Sequence, residues 1–130
     1  MNDIFKEKYL ELKLANKTTC LNIDVNNYNS DTELLNSLAA GIQNEKAIVI
    51  LNGNGLTDRE FVKLGEKVKL LCAEFDATLL IYNRTDISFL LNADGVYLDE
   101  NGVSTIQAHK ILGDNAIILD QSSDSKYKML

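Results

Sequence analysis

Polar residues able to bind a ligand follow two apolar runs of this chain. The run TLLIY ends at Tyr82 and continues into Asn83 and Arg84, and the run GVYL is followed by Asp99 and Glu100. Phenol, amide, guanidinium and carboxylate groups at the carboxyl ends of parallel strands are what α/β enzymes use to bind ligands. We therefore predict a ligand-binding mouth formed by Asn52, Asn54, Tyr82, Asn83, Arg84, Tyr97 and Glu100.

Several of these residues also have a structural interpretation. The segment Asn52-Gly53-Asn54-Gly55 is typical of a turn and lacks the lysine of a phosphate-binding loop. Asp86 is placed to cap a helix beginning at Ile87 and to pair with Arg84. Tyr82 and Tyr97 form either an aromatic wall over a ring ligand or the end of the core.

The chain offers no nucleophile beside a base, so no catalytic residue is assigned. The single histidine, His109, falls on a predicted helix away from the strand ends. Asp24 with Asp120, and Asp99 with Glu100, carry oxygen ligands that suit Mg²⁺ or Ca²⁺. Nothing in the spacing shows that these acids converge, and no metal site is assigned.

Alternating strands and helices must position the mouth. Continuous apolar runs such as AIVIL indicate parallel strands covered on both faces, and apolar residues at helical spacing lie between them. Three hydroxyl residues, Ser30, Thr57 and Ser104, are each followed three residues later by Glu or Gln, a capping box that starts a helix. The predicted strands are Cys20 to Val25, Ala47 to Leu51, Thr78 to Tyr82, Gly95 to Leu98 and Ala116 to Leu119.

This pattern predicts one α/β domain over residues 1–130. Residues 1–18 hold an N-terminal helix, residues 19–119 the parallel βα repeats, and residues 120–130 a polar tail. Periodicity leaves two architectures open, a partial TIM-type (β/α) barrel of about five strands or an open doubly wound sheet.

Composition restricts the function classes. A net charge of −6 and a pI near 4.7 argue against nucleic-acid binding, which needs a basic face. The apolar runs are shorter than the ~20 residues of a membrane span. Cys20 and Cys72 have no metal-ligand spacing, and we expect both to be buried in a protein of the reducing cytoplasm.

The run LLIYNRTDISFLLNADGVYLDENG resembles the signature region of thiamine phosphate synthase and its thiazole tautomerase relatives. Arg84, Asp86 and the segment Ala93-Asp94-Gly95-Val96 fit the family pattern. Upstream, Gly55, Leu56 and a helix start at Thr57 also fit. The resemblance implies a TIM-type barrel, of which this chain supplies the first part.

The resemblance also implies a chemistry in which a pyrimidine carried on a pyrophosphate is joined to a thiazole phosphate, with Mg²⁺ on the leaving group. The cationic positions that would hold the pyrophosphate are Asn52 and Asn54 here, and the two metal carboxylate positions are Asn83 and Gly102. Mg²⁺ is thus implied by the resemblance alone. Tyr97 and Glu100 replace a histidine and a glutamine of the family.

Three functions remain open from the sequence. The leading hypothesis is a shortened thiamine phosphate synthase-like protein, linked to thiamine biosynthesis and catalytically degenerate on its own. The alternatives are an active transferase or thiazole tautomerase within a larger assembly, and a small non-enzymatic α/β interaction module. We expect a phosphate-bearing small molecule as ligand and a homodimer or partner chain covering the open sheet edges.

Overall fold

The computed structural model describes residues 19–42, 47–122 and 128–129. The strands are β1 (Thr19–Asp24), β2 (Ala47–Asn52), β3 (Thr78–Tyr82), β4 (Gly95–Leu98), β5 (Ile117–Asp120) and β6 (Lys128–Met129). The helices are α1 (Asp31–Ile42), α2 (Asp58–Glu74), α3 (Thr85–Leu91) and α4 (Thr105–Leu112), and a short 3-10 turn (Val25–Asn27) follows β1. The predicted N-terminal helix lies outside the described residues.

All the strands form one parallel sheet in the order β5-β4-β3-β2-β1-β6. From β1 to β5 each strand pairs with the next strand along the chain. A doubly wound sheet would reverse this order at a switch point, and β1 to β5 do not; the open sheet of that alternative is confirmed, but its doubly wound order is not found among these five strands. The sequential order is that of a (β/α) barrel, and the sheet stays open because β5 and β6 form its two edges.

The described helices all pack on the same face of the sheet, which we call the helix face. Leu34 and Leu38 of α1, Phe61 and Leu64 of α2, and Ile87 of α3 are buried there against alternate residues of β1, β2 and β3. Helix α4 packs on β4 and β5 through a smaller cluster. Placement of the four described helices on one face is a second mark of a barrel-type arrangement.

The opposite face of the sheet, which we call the concave face, is also apolar. Its buried residues are Cys20, Ile48, Ile50, Leu80, Tyr97, Ile117 and Leu119. Cys72, in contrast, is buried on the helix face, so both cysteines are buried as expected. None of the described helices is long and apolar enough to cross a membrane.

Helix starts follow the capping signals of the sequence. Thr57 and Ser104 form complete capping boxes with Glu60 and Gln107. At α1 the Ser30 hydroxyl accepts a hydrogen bond from the Glu33 amide (3.1 Å), but the Glu33 carboxylate reaches one residue further back, to the Asn29 amide (3.2 Å). These caps satisfy backbone donors that the first turn of a helix leaves without partners.

The Ala-Asp-Gly-Val segment has a structural role at the amino ends of the strands. The Asp94 carboxylate accepts a hydrogen bond from the Leu79 amide at 2.8 Å and so links the starts of β3 and β4. A Cβ atom on Gly95 would lie 1.7 Å from the Ile117 carbonyl oxygen, so only glycine allows β5 to approach β4 here. This part of the signature therefore stabilises the fold, at the edge opposite the mouth.

Candidate functional site

A depression of about 590 Å³ lies at the carboxyl ends of β2 and β3, and we call it the mouth. Its polar lining comes from the loops that follow β2, β3 and β4, with Leu56 and Phe61 as apolar lining. Of the predicted binding residues, the structure brings five together here, namely Asn52, Asn54, Tyr82, Asn83 and Arg84. Asp99 and Asn101 complete the polar wall.

A hydrogen-bonded cluster of Tyr82, Asn83 and Asp99 joins two strand ends. Asn83 adopts a left-handed backbone conformation (φ 59°), which asparagine tolerates better than most residues. Its amide group donates to one Asp99 carboxylate oxygen at 2.5 Å, and its carbonyl oxygen accepts from the Asp99 backbone amide at 2.8 Å. The Tyr82 hydroxyl donates to the other carboxylate oxygen. Both oxygens of Asp99 are therefore already engaged within the protein.

These contacts shift two pKa values in opposite directions. The hydrogen bond to Asp99, helped by partial burial, raises the pKa of Tyr82 to about 12 because ionised Tyr82 would repel the carboxylate. Hydrogen bonds from Tyr82 and Asn83 lower the pKa of Asp99 below its usual value. At neutral pH the cluster consists of a neutral phenol and a carboxylate anion, and neither group is poised to exchange a proton.

Arg84 lies at the rim of the mouth but is held by two carboxylates. Its guanidinium group donates two hydrogen bonds to Asp86, at 3.0 and 2.9 Å, and a third to Asp58 at 2.8 Å. These partners, Asp86 first, raise the pKa of Arg84, and Arg84 in turn lowers the pKa of Asp86. Of the described residues that line the mouth, Arg84 alone carries positive charge, and two acids neutralise it.

The loop after β2 is a tight turn held by its own asparagines. The Asn52 side-chain oxygen accepts from the Asn54 amide at 3.0 Å, and the Asn26 side chain donates to the Asn54 carbonyl at 3.3 Å. Gly53 lies against the Phe61 ring, where a Cβ atom would approach within 2.5 Å. The loop is therefore a turn, as its sequence indicated. The same loop also forms one wall of the mouth.

Two predicted residues do not line the mouth. Tyr97 stacks on Tyr82 with ring centroids 5.7 Å apart, but it is buried in the concave-face core because the alternation of β4 points it inward. Glu100 lies in a separate depression of about 370 Å³, together with Asp120, beyond β4 and β5. The single histidine, His109, lies on α4 with its ring nitrogen 3.4 Å from the Gly113 carbonyl oxygen.

The residues present do not fit the Mg²⁺ that the family resemblance implies. A carboxylate side chain at position 102 would place its Cβ atom 2.7 Å from the Asn83 side-chain oxygen, which is too close. The two carboxylate oxygens of Asp99 already accept hydrogen bonds from Tyr82 and Asn83. Throughout the described part of the chain, no three His, Cys, Asp or Glu side chains gather closely enough to hold a metal ion. We therefore derive no catalytic step through a metal.

Three lining or anchoring residues escaped the sequence analysis. Asn101 follows the acidic pair that ends β4, and Phe61 is a helical core residue whose ring also faces the mouth. Asp58 anchors Arg84 although the two are 26 residues apart. The sequence did indicate that Asp58 lies near the mouth, because it directly follows the Thr57 cap. Helices that follow parallel strands begin at the same edge of the sheet as the strand ends.

The fold and mouth define a (β/α) barrel-type protein with a small polar depression at the carboxyl edge of its sheet. A family model described as thiamine monophosphate synthase matches residues 23–124, and the chain belongs to this family. The thiamine-phosphate synthase of Campylobacter jejuni strain RM1221 is 40% identical over 89 residues, which are 68% of this chain and 42% of that protein. The thiamine-phosphate synthase of Haloarcula marismortui is 35% identical over 81 residues, 62% of this chain and 38% of that protein.

A solved structure shares the fold. The thiamine phosphate pyrophosphorylase from Pyrococcus furiosus superposes with a TM-score of 0.72 at 20% identity, covering 88% of this chain and 59% of that one. The chain thus spans about two fifths of the length of the curated relatives that it matches. These matches establish the family of the chain. They do not establish that the chain has the activity of its longer relatives.

Proposed function

We propose that this chain is a family member that does not catalyse the thiamine phosphate synthase reaction on its own and that binds a small, weakly charged ligand in its mouth. The observation that carries the proposal is the state of Arg84, the one cation among the described lining residues, which is held by Asp58 and Asp86. A pyrophosphate leaving group needs cations that respond to its developing charge. Here two carboxylates already compensate the guanidinium.

The loop after β2 supports the same conclusion. Family resemblance places the pyrophosphate-binding cations at Asn52 and Asn54, and amides at these positions make weaker contacts to an anion than charged donors do. Each lost charge-assisted hydrogen bond is worth about 1.5–3 kcal/mol. Losing two of them would weaken binding of a pyrophosphate by about two to four powers of ten.

Calorimetric titration with the pyrimidine pyrophosphate, with and without Mg²⁺, tests the proposal. We expect no Mg²⁺-dependent heat with this chain, while the Campylobacter jejuni relative serves as the positive control. Tight Mg²⁺-dependent binding by this chain would overturn the proposal and favour the active-transferase alternative.

A gain-of-binding variant makes the test sharper. The double substitution Asn52→Arg with Asn54→Lys restores the two cations, and we expect it to gain measurable affinity for inorganic pyrophosphate. The charge-matched control is Asn115→Arg with Ile111→Lys, two exposed positions at the opposite edge of the sheet. Equal gains in both variants would mean that net charge, and not the mouth, determines binding.

A further inference from the structure

The guanidinium group of Arg84 has two edges, each of which can bind an oxyanion as a fork. Nε and Nη2 form the first edge, and they donate to the two carboxylate oxygens of Asp86 at 3.0 and 2.9 Å. The second edge consists of Nη1 and the other hydrogen of Nη2, and this Nη2 hydrogen donates to Asp58 at 2.8 Å. Nη1 donates no hydrogen bond within the described part of the chain. Asp58 therefore occupies half of the fork that Asp86 leaves open.

The two carboxylates hold Arg84 in different ways. Asp86 lies two residues after Arg84, in the first turn of α3, and its contact through both oxygens orients the guanidinium plane. Asp58 reaches Arg84 from another element, as the first residue of α2, through a single hydrogen bond. The Asp58 side chain is 75% exposed and the Arg84 side chain 37% exposed, so solutes reach this pair. Asp86 therefore positions Arg84, while Asp58 adds a separate, exposed negative charge beside it.

The backbone before Asp58 keeps its carboxylate close to Arg84. The Thr57 hydroxyl accepts a hydrogen bond from the Glu60 amide at 3.1 Å, and the Glu60 carboxylate accepts one from the Thr57 amide at 2.9 Å. This capping box fixes the start of α2, and the single methylene group of an aspartate allows its charge little movement. An anion that displaced Asp58 from Nη2 would still lie close to the displaced carboxylate, and two like charges at short distance repel.

We propose that Asp58 determines which ligands the mouth accepts, because it occupies the open fork of Arg84 and so excludes phosphate-type anions. This inference rests on the proposed function and adds to it the residue that rejects anions. A neutral ligand is not repelled by Asp58. Such a ligand can still bind the uncharged amides of Asn52, Asn54 and Asn101, which line the same mouth.

Asp58→Asn tests the proposal with inorganic phosphate as the probe. The substitution removes one charge at nearly constant size, and loss of an exposed ion pair should leave the protein folded. Phosphate affinity, measured by phosphorus NMR titration without metal, should rise about tenfold or more, which is the value of one charge-assisted hydrogen bond. Asp58→Ala also removes the charge and suits the first turn of a helix, so it should gain affinity in the same way. Asp58→Glu keeps the charge and should bind phosphate no better than the wild type.

Asp31→Asn is the matched control. Asp31 is also the exposed first residue of a helix, and it also faces a cation, Lys67, at 3.8 Å. The control therefore changes the net charge equally and should gain no phosphate affinity, while Arg84→Gln added to Asp58→Asn should abolish the gain. An equal gain in Asp31→Asn, a gain that persists without Arg84, or folded Asp58 variants that gain nothing would overturn the proposal.

These outcomes are distinct from those of the titration with the pyrimidine pyrophosphate. Tight Mg²⁺-dependent binding by the wild type would overturn the proposed function itself. A wild type that does not bind the pyrophosphate, together with Asp58→Asn and Asp58→Ala variants that do not gain phosphate affinity, would overturn only the role of Asp58.

Discussion

At the scale of single residues, the mouth is formed by groups that satisfy one another. Asp99 receives hydrogen bonds from Tyr82 and Asn83, and Arg84 is divided between Asp58 and Asp86. Preorganised polar groups bind a ligand strongly only when their charges and lone pairs point at it. This internal pairing is the physical basis of our proposal that the mouth binds a weakly charged ligand and not a pyrophosphate.

The pair of Tyr82 and Asp99 makes stability depend on pH in a defined direction. The folded pKa of Tyr82, about 12, lies above the unfolded value near 10. Its contribution is therefore present in full below pH 10 and is lost as pH rises from about 10 to 12. Because the folded pKa of Asp99 is lowered, its contribution to stability is lost only as pH falls below its unfolded pKa of about 4.

Tyr82→Phe should lower the free energy of unfolding by about 1–2 kcal/mol at pH 8, because it removes the hydrogen bond to Asp99.

Urea unfolding of the wild type and Tyr82→Phe at pH 8 and pH 11 measures this effect. The wild type should lose more stability between the two pH values than the variant does, since only the wild type carries the Tyr82 proton. Tyr28→Phe, which alters a tyrosine outside the mouth, should keep the full wild-type pH dependence. An identical pH dependence in wild type and Tyr82→Phe would contradict the hydrogen bond.

Gly95 gives a second prediction at this scale. Gly95→Ala places a Cβ atom 1.7 Å from the Ile117 carbonyl oxygen, and the two strands must separate. We expect a loss of about 3 kcal/mol or more in the free energy of unfolding. Gly41→Ala, in the last turn of α1 with 3.4 Å to the nearest atom, should instead be neutral or stabilise by up to about 1 kcal/mol, and chemical denaturation of both variants makes the comparison. A small effect at Gly95 would mean that β4 and β5 are not held in this register.

At the scale of elements, the helix caps carry much of the local specificity. Thr57→Ala removes the side-chain acceptor for the Glu60 amide at 3.1 Å, and we expect the free energy of unfolding to fall by about 1 kcal/mol. Thr57→Ser retains the hydroxyl and is the matched control. Equilibrium unfolding of the two variants checks the expectation, and equal stabilities would show that the cap contributes nothing.

Elements were also what the sequence predicted best. Strands β3 and β4 begin and end where the apolar runs do, because both are short and bounded by turns. Strand β1 ends at Asp24 and not at Val25, since the Asp24 side chain caps the 3-10 turn by accepting from the Asn26 amide at 2.9 Å. Helix α3 begins at Thr85 and not at Ile87, so Asp86 lies in its first turn and pairs with Arg84 instead of capping it.

The strand order and the contacts between residues distant in sequence could not be predicted from the sequence, for a physical reason. Barrel and doubly wound sheets use the same apolar runs, so only the strand order separates them. Strand ends predicted which polar residues gather at the carboxyl edge, but not that Tyr97 stacks beneath Tyr82 or that Asp58 neutralises Arg84. The first contact depends on the register in which β3 and β4 pair, and the second on where the start of α2 lies beside the end of β3. Local propensity encodes neither.

At the scale of the whole molecule, no strand in the described part of the chain pairs with the outer edge of β5. The Ile117 amide donates to Asp94 on the β4 side at 2.9 Å, so the Ile118 amide and carbonyl point outward, toward the edge. An edge of this kind is a template for pairing with another strand. We predict a homodimer that pairs two β5 edges about a two-fold axis, the commonest symmetry of protein oligomers.

Sedimentation equilibrium of the full chain at micromolar concentration tests this pairing. Ile118→Pro removes the outward donor while leaving the Ile117 and Leu119 amides on the β4 side in place, so we expect it to produce a monomer with the fold intact. Ile118→Lys keeps the backbone donor and adds only a charge, which separates backbone pairing from side-chain effects. A wild type that is monomeric at every concentration would mean that the net charge of −6 and the shortness of β5 are enough to keep the edge unpaired.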